Sequence, residues 1–480
     1  MPELSRNRRL LVLAICCMSL LIVGMDNTIV NVALPSIRTS LHAAVEGLQW
    51  TIDAYTLVLA SLLILAGSTA DRIGRRRTFQ TGLVLFSAGS LLCSIAPGLG
   101  WLVVFRMVQA VGGSMLNPVA MSIITNVFTD PKERAKAIGV WSGVVGISLG
   151  VGPIVGGLLT ETIGWRAIFW INVPIGLAAF VLAAIFLPES RAPRARRVDP
   201  VGQLLVLVLL ATLTYALIDA PRAGWESAQT ITLFLIALAA LAGLLGYEPR
   251  RRDPLVELRF FRSVPFSGAT LIAICAFGAF SGFLFLNTLY LQDVRGLSAL
   301  DAGLFLVPMA LVTSVLAPFT GRVVASRGPR VPLFVAGTAM ALSGLSLTVL
   351  TDHTSYLWLI GSYLVYAVGF GSVNAPITNT AISGMPGSQA GVAAAVASTS
   401  RQVGTALGVA IIGSVINSGS HGAVAADLTR ASHTGWWIVT GAGLAVLLLG
   451  AVSTGRAAVR SAETTAQLLD ERPEPALSTP

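Results

Sequence analysis

Charge is what this sequence has least of. Asp, Glu, Lys and Arg make up 11% of its 480 residues, against about 25% in a soluble domain. With 54% hydrophobic residues and a mean hydropathy of +0.77, a soluble globular enzyme is excluded. Cysteine is nearly missing too. Cys16, Cys17, Cys93 and Cys275 all fall inside apolar runs, which leaves neither a disulfide framework nor a thiolate metal site. His42, His353, His421 and His433 are scattered through stretches expected to be loops on one side of a membrane, so no bound metal is expected. There is no nucleophile elbow and no phosphate-binding glycine loop. The chain is therefore expected to be no enzyme and to need no cofactor.

What it has instead is a succession of fourteen long apolar runs. They lie near residues 10–34, 49–66, 78–97, 101–127, 137–160, 167–187, 200–218, 230–247, 265–291, 302–320, 331–350, 356–377, 391–416 and 435–455. A helix needs roughly 20 apolar residues to cross a bilayer, so an all-α integral membrane protein is expected. The first run follows Arg6, Arg8 and Arg9 like a signal peptide. It is too long for one, lacks a small-residue cleavage site and carries Asp26, so it is read as a retained helix. The net charge of +9 would suit nucleic acid, but the basic residues sit in short segments between the runs. A cytoplasmic N-terminus puts 25 Lys and Arg inside and 5 outside, as the positive-inside rule requires. No nucleic-acid partner is expected; a multi-pass protein of the inner (plasma) membrane, both termini cytoplasmic, is.

The chain repeats itself. Gly67-Ser-Thr-Ala-Asp71-Arg72-Ile-Gly74-Arg75-Arg76-Arg77 follows the second run, and Gly321-Arg-Val-Val-Ala325-Ser-Arg327-Gly328-Pro-Arg330 follows the tenth, each with glycines seven apart. Runs nine to fourteen then repeat runs one to six, with runs seven and eight inserted. The expected units are an N-terminal bundle over 1–187, an insertion with its linkers over 188–264, a C-terminal bundle over 265–455 and a disordered cytoplasmic tail over 456–480.

The fifth run is crowded with Gly146, Gly150, Gly152, Pro153, Gly156 and Gly157. In a soluble helix each Gly costs about 1 kcal/mol against Ala and an interior Pro about 3. A membrane helix carries them because small residues let neighbouring backbones approach. Gly146, Gly150 and Gly157 recur at helical spacing and leave one face bare. This order of residues resembles the antiporter motif of the major facilitator superfamily. Gly67–Arg77 is similar to that superfamily's most widespread loop motif, and Leu102–Gly113 to its fourth-helix motif. Leu21–Pro35 resembles the first helix of its 14-spanner drug:proton antiporter family. The likeness runs over roughly residues 10–455. It implies a major facilitator fold of two six-helix bundles plus two inserted helices, fourteen transmembrane helices in all.

Three ionised groups inside the N-terminal runs are the candidate site: Asp26, Asp53 and Arg106. An ionisable group in a membrane helix rarely faces lipid and marks a proton or substrate path. The resemblance links Arg106 to proton coupling and makes Asp71 and Arg75 a conformational latch between the halves. Trp50–Leu57, with Asp53, looks like exporters of quaternary ammonium compounds and cationic dyes, which implies hydrophobic, cationic cargo. No acid lies deep in runs nine to fourteen, which weighs against divalent or strongly cationic compounds. Arg401 lies near the start of run thirteen, where it is free to snorkel. Tyr55, Asn287, Tyr290 and Asn374 are candidate cavity residues. The expected function is a monomeric, proton-driven multidrug or antibiotic exporter working by alternating access, with a small-molecule drug, protons and the lipid bilayer as its partners. The alternative is a proton-coupled uptake symporter for a small nutrient, against which the fifth-run motif speaks.

Overall fold

The computed structural model describes residues 5–191, 199–251, 254–386, 389–419 and 425–470, and among them there is no strand. The first group of helices is α1 (Arg6–Leu41), α2 (Val45–Ile73), α3 (Arg75–Ser94), α4 (Leu99–Val127), α5 (Pro131–Thr162), the short α6 (Ala167–Trp170) and α7 (Asn172–Phe186). A pair follows, α8 (Pro200–Ala223) and α9 (Ala228–Tyr247). The last group is α10 (Val264–Leu289), α11 (Ala299–Arg327), α12 (Arg330–Leu347), α13 (Tyr356–Gly371), α14 (Asn374–Ile382), α15 (Ala390–Gly419), α16 (Ala425–Ser453) and α17 (Arg456–Asp470).

Local chemistry sets several of these ends. Gly74, at φ +125, turns α2 into α3 through a conformation that only glycine adopts cheaply. Asp130 opens α5 by accepting the backbone N–H groups of Lys132 and Glu133, with Pro131 in the first turn. Asp199 followed by Pro200 does the same for α8 through the N–H of Gly202. Both place an acceptor where the helix has unpaired donors and a proline where no donor is needed.

Among the described residues, twelve segments are long and apolar enough to cross a membrane. Two helices at expected positions fall outside that set. α3 opens on Arg75-Arg76-Arg77-Thr78 and α15 carries Ser398-Thr-Ser-Arg401-Gln402, and these residues lower their mean hydropathy. Each of the fourteen expected runs nevertheless coincides with a helix, or with a broken pair in the case of α6 with α7 and α13 with α14.

The packing repeats as the sequence does. In the first group α1 packs on α5, and α3 on α4 and α7; in the last, α10 packs on α15, and α12 on α13 and α16. The two groups meet along two seams, α5 against α11 and α2 against α15, and α8 packs on both α2 and α15.

The tail differs from expectation. Residues Arg456–Asp470 form a helix whose Ala458, Ala462, Thr465 and Leu469 are buried. It docks under the last group, where Val264 N–H donates to Ser461 Oγ at 3.0 Å and Arg259 reaches the Leu468 carbonyl at 3.4 Å. Its composition is polar on average, so a stripe every third or fourth residue was the only sign of it. Residues 471–480 and His421 lie outside the described residues. His433, expected in a loop, lies inside α16 with Nε2 2.7 Å from the Leu350 carbonyl.

Polar contacts tie the seams at one end. The polar contacts between the groups, among the described residues, lie at the end away from the arginine-rich segments. They are Arg38 to Asp293 at 2.9 Å, Gln292 to the Val32 carbonyl at 2.8 Å, Gln49 to the Ala410 carbonyl at 3.0 Å and Asn417 to Glu46 at 2.7 Å. Along α5 and α11 a Cβ at Gly157 would lie 2.5 Å from Leu300 Cα, and one at Gly146 would lie 2.5 Å from Ser314 Oγ. Two turns further toward the basic end, on the same faces, stand Gly139 and Gly321, and neither has a neighbour within 4 Å of that position. The α5 and α11 faces therefore have open space beside these glycines at the basic end.

Candidate functional site

α1, α3, α4 and α7 bring one buried polar cluster together inside the N-terminal group. Asp26 on α1 is 0% exposed and Arg106 on α4 is 1% exposed. Arg106 Nη1 donates to Asp26 Oδ2 at 2.5 Å and to Gln109 Oε1 at 2.7 Å, while its Nε donates to the Thr51 carbonyl at 3.1 Å. The other carboxylate oxygen, Oδ1, accepts from Gln109 Nε2 at 2.8 Å and from Asn172 Nδ2 at 3.0 Å. Both amides also donate to Ser90 Oγ, at 2.7 and 3.3 Å. The guanidinium lies over the Tyr55 ring at 4.1 Å and near that of Phe169 at 5.7 Å. A buried ion pair stands only when its remaining lone pairs and protons are satisfied, and here both carboxylate oxygens are. Removing one partner of such a pair costs about 3–5 kcal/mol.

Asp53 does not join this cluster. It too is 0% exposed, but neither carboxylate oxygen has a hydrogen bond. On the helical wheel it falls between Gln49, which reaches α15, and Trp50, whose ring lies 5.5 Å from that of Tyr215 on α8. Asp53 thus faces the groove between α15 and α8, while Thr51 and Tyr55, on the opposite side of α2, meet α4.

The loop pair is local in this structure. Arg75 Nη2 donates to Asp71 Oδ1 at 3.0 Å across the Gly74 turn. The loop is tied to the end of α7 by Arg75 N–H to the Ser190 carbonyl at 2.9 Å and Arg76 N–H to Glu189 Oε1 at 3.2 Å. The expected latch partners thus contact each other and not the opposite half.

The fifth-helix glycines divide between two neighbours. A Cβ at Gly146, Gly150 or Gly157 would meet α11, at Ser314, Ala310 and Leu300. One at Gly152 or Gly156 would meet Thr28 or Ile29 of α1. Gly303 of α11 returns the fit, pressed against the Pro153 carbonyl oxygen.

Three of the four candidate cavity residues are buried in this structure, Tyr55 with its hydroxyl unpartnered and Asn287 and Tyr290 hydrogen-bonded. Tyr55 lies under Gly113 beside Arg106. Asn287 donates to the Phe283 carbonyl at 2.8 Å and accepts from Tyr363, and Tyr290 donates to the Thr351 carbonyl at 2.7 Å. Hydrogen-bond capacity in an apolar run is satisfied within the bundle as readily as by cargo, and the sequence does not separate the two. Asn374, at the start of α14, stays half-buried. Sequence reasoning gave Ser90 and Asn172 no role in the cluster. Ser90 resembles any other membrane-helix serine, whereas Asn172 could have been noticed as an amide at a helix break.

A duplicated helical bundle with a charge cluster sealed inside one half defines a multi-pass membrane carrier. Residues 16–409 match the model of the Major Facilitator Superfamily, and the chain belongs to that superfamily. It is 35% identical over 408 residues to the multidrug resistance protein Stp of Mycobacterium tuberculosis, covering 85% of this chain and 76% of that one. It is 38% identical over 404 residues to the tetracenomycin C resistance and export protein of Streptomyces glaucescens, covering 83% and 74%. Among solved structures it matches a bacterial homologue of the human lysosomal transporter Spinster in an inward-facing, occupied conformation. That match has a TM-score of 0.64 at 18% identity and covers 98% of this chain and 100% of that one.

Proposed function

We propose that this chain is a proton-coupled efflux antiporter exporting small hydrophobic drugs or antibiotics across the plasma membrane by alternating access. The observation that carries it is the sealed Asp26–Arg106 pair in a superfamily member whose relatives are named for resistance and export. A proton on Asp26 removes the charge that holds Arg106. The guanidinium is then left to Gln109 Oε1 and the Thr51 carbonyl, and the tie between α1 and α4 weakens. Proton binding and conformation are thereby linked, and the linkage is reciprocal. Asp53, buried and unpaired, is a second proton carrier, because an isolated buried carboxylate costs far more than the neutral acid.

With the basic end in the cytoplasm and all fourteen helical columns crossing the bilayer, the end with open space beside Gly139 and Gly321 faces the compartment from which drug is taken. Asp71 and Arg75 then serve as half of a latch that engages once that end closes. The test is Asp26→Asn in proteoliposomes under an imposed pH gradient. Gradient-driven efflux is expected to fall by about tenfold or more, since even a 1.4 kcal/mol change in coupling is a factor of ten. Undiminished gradient-driven efflux would sink the coupling role of the pair.

A further inference from the structure

The C-terminal half holds the reverse of the Asp26 arrangement. Arg401 on α15 reaches across to α14 and α10. Its Nη2 donates to Thr378 Oγ1 on α14 at 2.5 Å, and its guanidinium lies 5.9 Å from the Phe277 ring on α10. Its Nε is buried without a partner, and no carboxylate lies within ion-pair distance among the described residues. Arg401 is eleven residues into α15, about 16 Å from the helix start at 1.5 Å per residue. A cation held inside an apolar helical bundle is costly and marks a path or site, and this one lacks the counterion that Arg106 has.

Its surroundings are laid out for a ligand. Asn374 precedes Thr378 by one turn of α14, and the Thr378 hydroxyl lies 3.4 Å from the Asn374 carbonyl. Arg401, Thr378, Asn374 and Phe277 all remain half-buried. α14 starts at a bend just after α13, where Asn374 is its first residue. α14 packs on both α11 and α15, the two seam helices of this half, which sets it in the wall between the seams. Beside it Phe277 meets Phe370 edge-on at 5.3 Å, and Phe280 stacks on Phe370 at 4.0 Å.

The geometry points to a subsite for an anionic oxygen. Arg401, with Thr378 and Asn374, takes the carboxylate or phenolate of a flat aromatic cargo whose rings lie against Phe277. A guanidinium presents five N–H donors in a planar fork suited to such a group, and here most of them are unclaimed. This inference rests on the efflux reading above and names a cargo class for it, opposite in charge to what Asp53 alone suggested.

The test uses two dyes on one xanthene scaffold, anionic fluorescein and cationic rhodamine 123, with the purified full-length protein. Equilibrium binding is read by anisotropy, and pH-gradient-driven export is read in proteoliposomes. Wild-type protein is expected to bind fluorescein, and Arg401→Gln to lower that affinity about tenfold or more relative to rhodamine 123. Arg401→Lys should recover part of the loss. If Arg401→Gln does not fold, Thr378→Val with Asn374→Leu should move the same ratio in the same direction. Absence of fluorescein binding by wild type, or an unchanged ratio in the variants, overturns the subsite. Failure of both dyes to be exported with fluorescein binding intact would instead count against the efflux reading and leave the subsite standing.

Discussion

The two seams between the halves are built from opposite materials. α5 meets α11 through glycine: Gly146, Gly150 and Gly157 on one side and Gly303 on the other, with no hydrogen bond between side chains along it among the described residues. α2 meets α15 through polar groups. Gln49 spans to the carbonyls of Val409 and Ala410, and Glu46 accepts from Asn417. α8 lies against that seam, where Gln203 donates to the Ser61 carbonyl. A bare backbone surface has no directional bond to break when it slides or tilts, and depends only on close approach. A hydrogen-bonded seam has a preferred register and loses about 1 kcal/mol per bond when it leaves it. The first seam thus has the composition of a pivot and the second that of a catch, with Asp53 in the groove behind the polar seam.

Filling the pivot should have the largest effect on this contrast. A side chain at Gly157 would begin 2.5 Å from Leu300 Cα and 2.6 Å from the Ala299 carbonyl oxygen. Backbone atoms cannot step aside as a flexible side chain can, so Gly157→Leu is expected to destabilise by about 1–3 kcal/mol or more. Thermal unfolding of the purified protein would show it, and export should be lost as well. Gly156 gives the control within α5, since its Cβ would meet Ile29 Cγ1 of α1 at 2.6 Å, inside the N-terminal half. Equal stability of Gly157→Leu and wild type would mean the halves do not press together there.

A smaller effect is expected where the pivot is open. Gly139 has free space in this structure, so Gly139→Leu should leave unfolding within about 0.5 kcal/mol of wild type. If α5 and α11 come together at the basic end during the cycle, the same leucine then meets the Gly321 face and opposes closure. Export should fall about tenfold while dye binding persists, a loss of about 1.4 kcal/mol in the closed state. Wild-type export rates in Gly139→Leu would show that this face never closes.

The pivot was legible in the sequence and the catch was not, for a physical reason. Gly146, Gly150, Gly152, Pro153, Gly156 and Gly157 violate helix propensity in one run, and such a violation needs a packing explanation. The sequence did not say that the set serves two neighbours, α11 and α1, because spacing fixes a face and not its partner. Asp26 and Arg106 were legible as isolated charges in apolar runs, and the structure joins them. Asp53 shares with them only a place in an apolar run of the same half. Its position on the wheel turns it away from Arg106, toward helices whose placement no local pattern discloses. Gln49 and Gln203 carry no periodic or charge signal, and their partners are backbone carbonyls 361 and 142 residues away. Asn287 and Tyr290 are likewise polar in apolar runs, and in this structure their partners lie within their own half.

The catch itself should give the smallest measurable shift. Gln49→Leu removes donors to the Val409 carbonyl at 3.3 Å and the Ala410 carbonyl at 3.0 Å. Gln49 Oε1 already lacks a partner, so an apolar replacement also relieves one unsatisfied acceptor, and the net loss is about 1 kcal/mol. These bonds tie the end away from the basic segments in this structure, so if that end opens during the cycle the loss falls on this state and not on the alternative. A difference of about 1 kcal/mol changes a two-state ratio roughly fivefold. Spin labels at Thr39 and Thr354, in a background with the four cysteines replaced, would report the separation of the halves at that end. The population at longer distance should rise about fivefold in Gln49→Leu, with unfolding little changed. If the distribution stays as in wild type, the α2–α15 contact accompanies closure without holding it, and the contrast between pivot and catch reduces to a difference in composition.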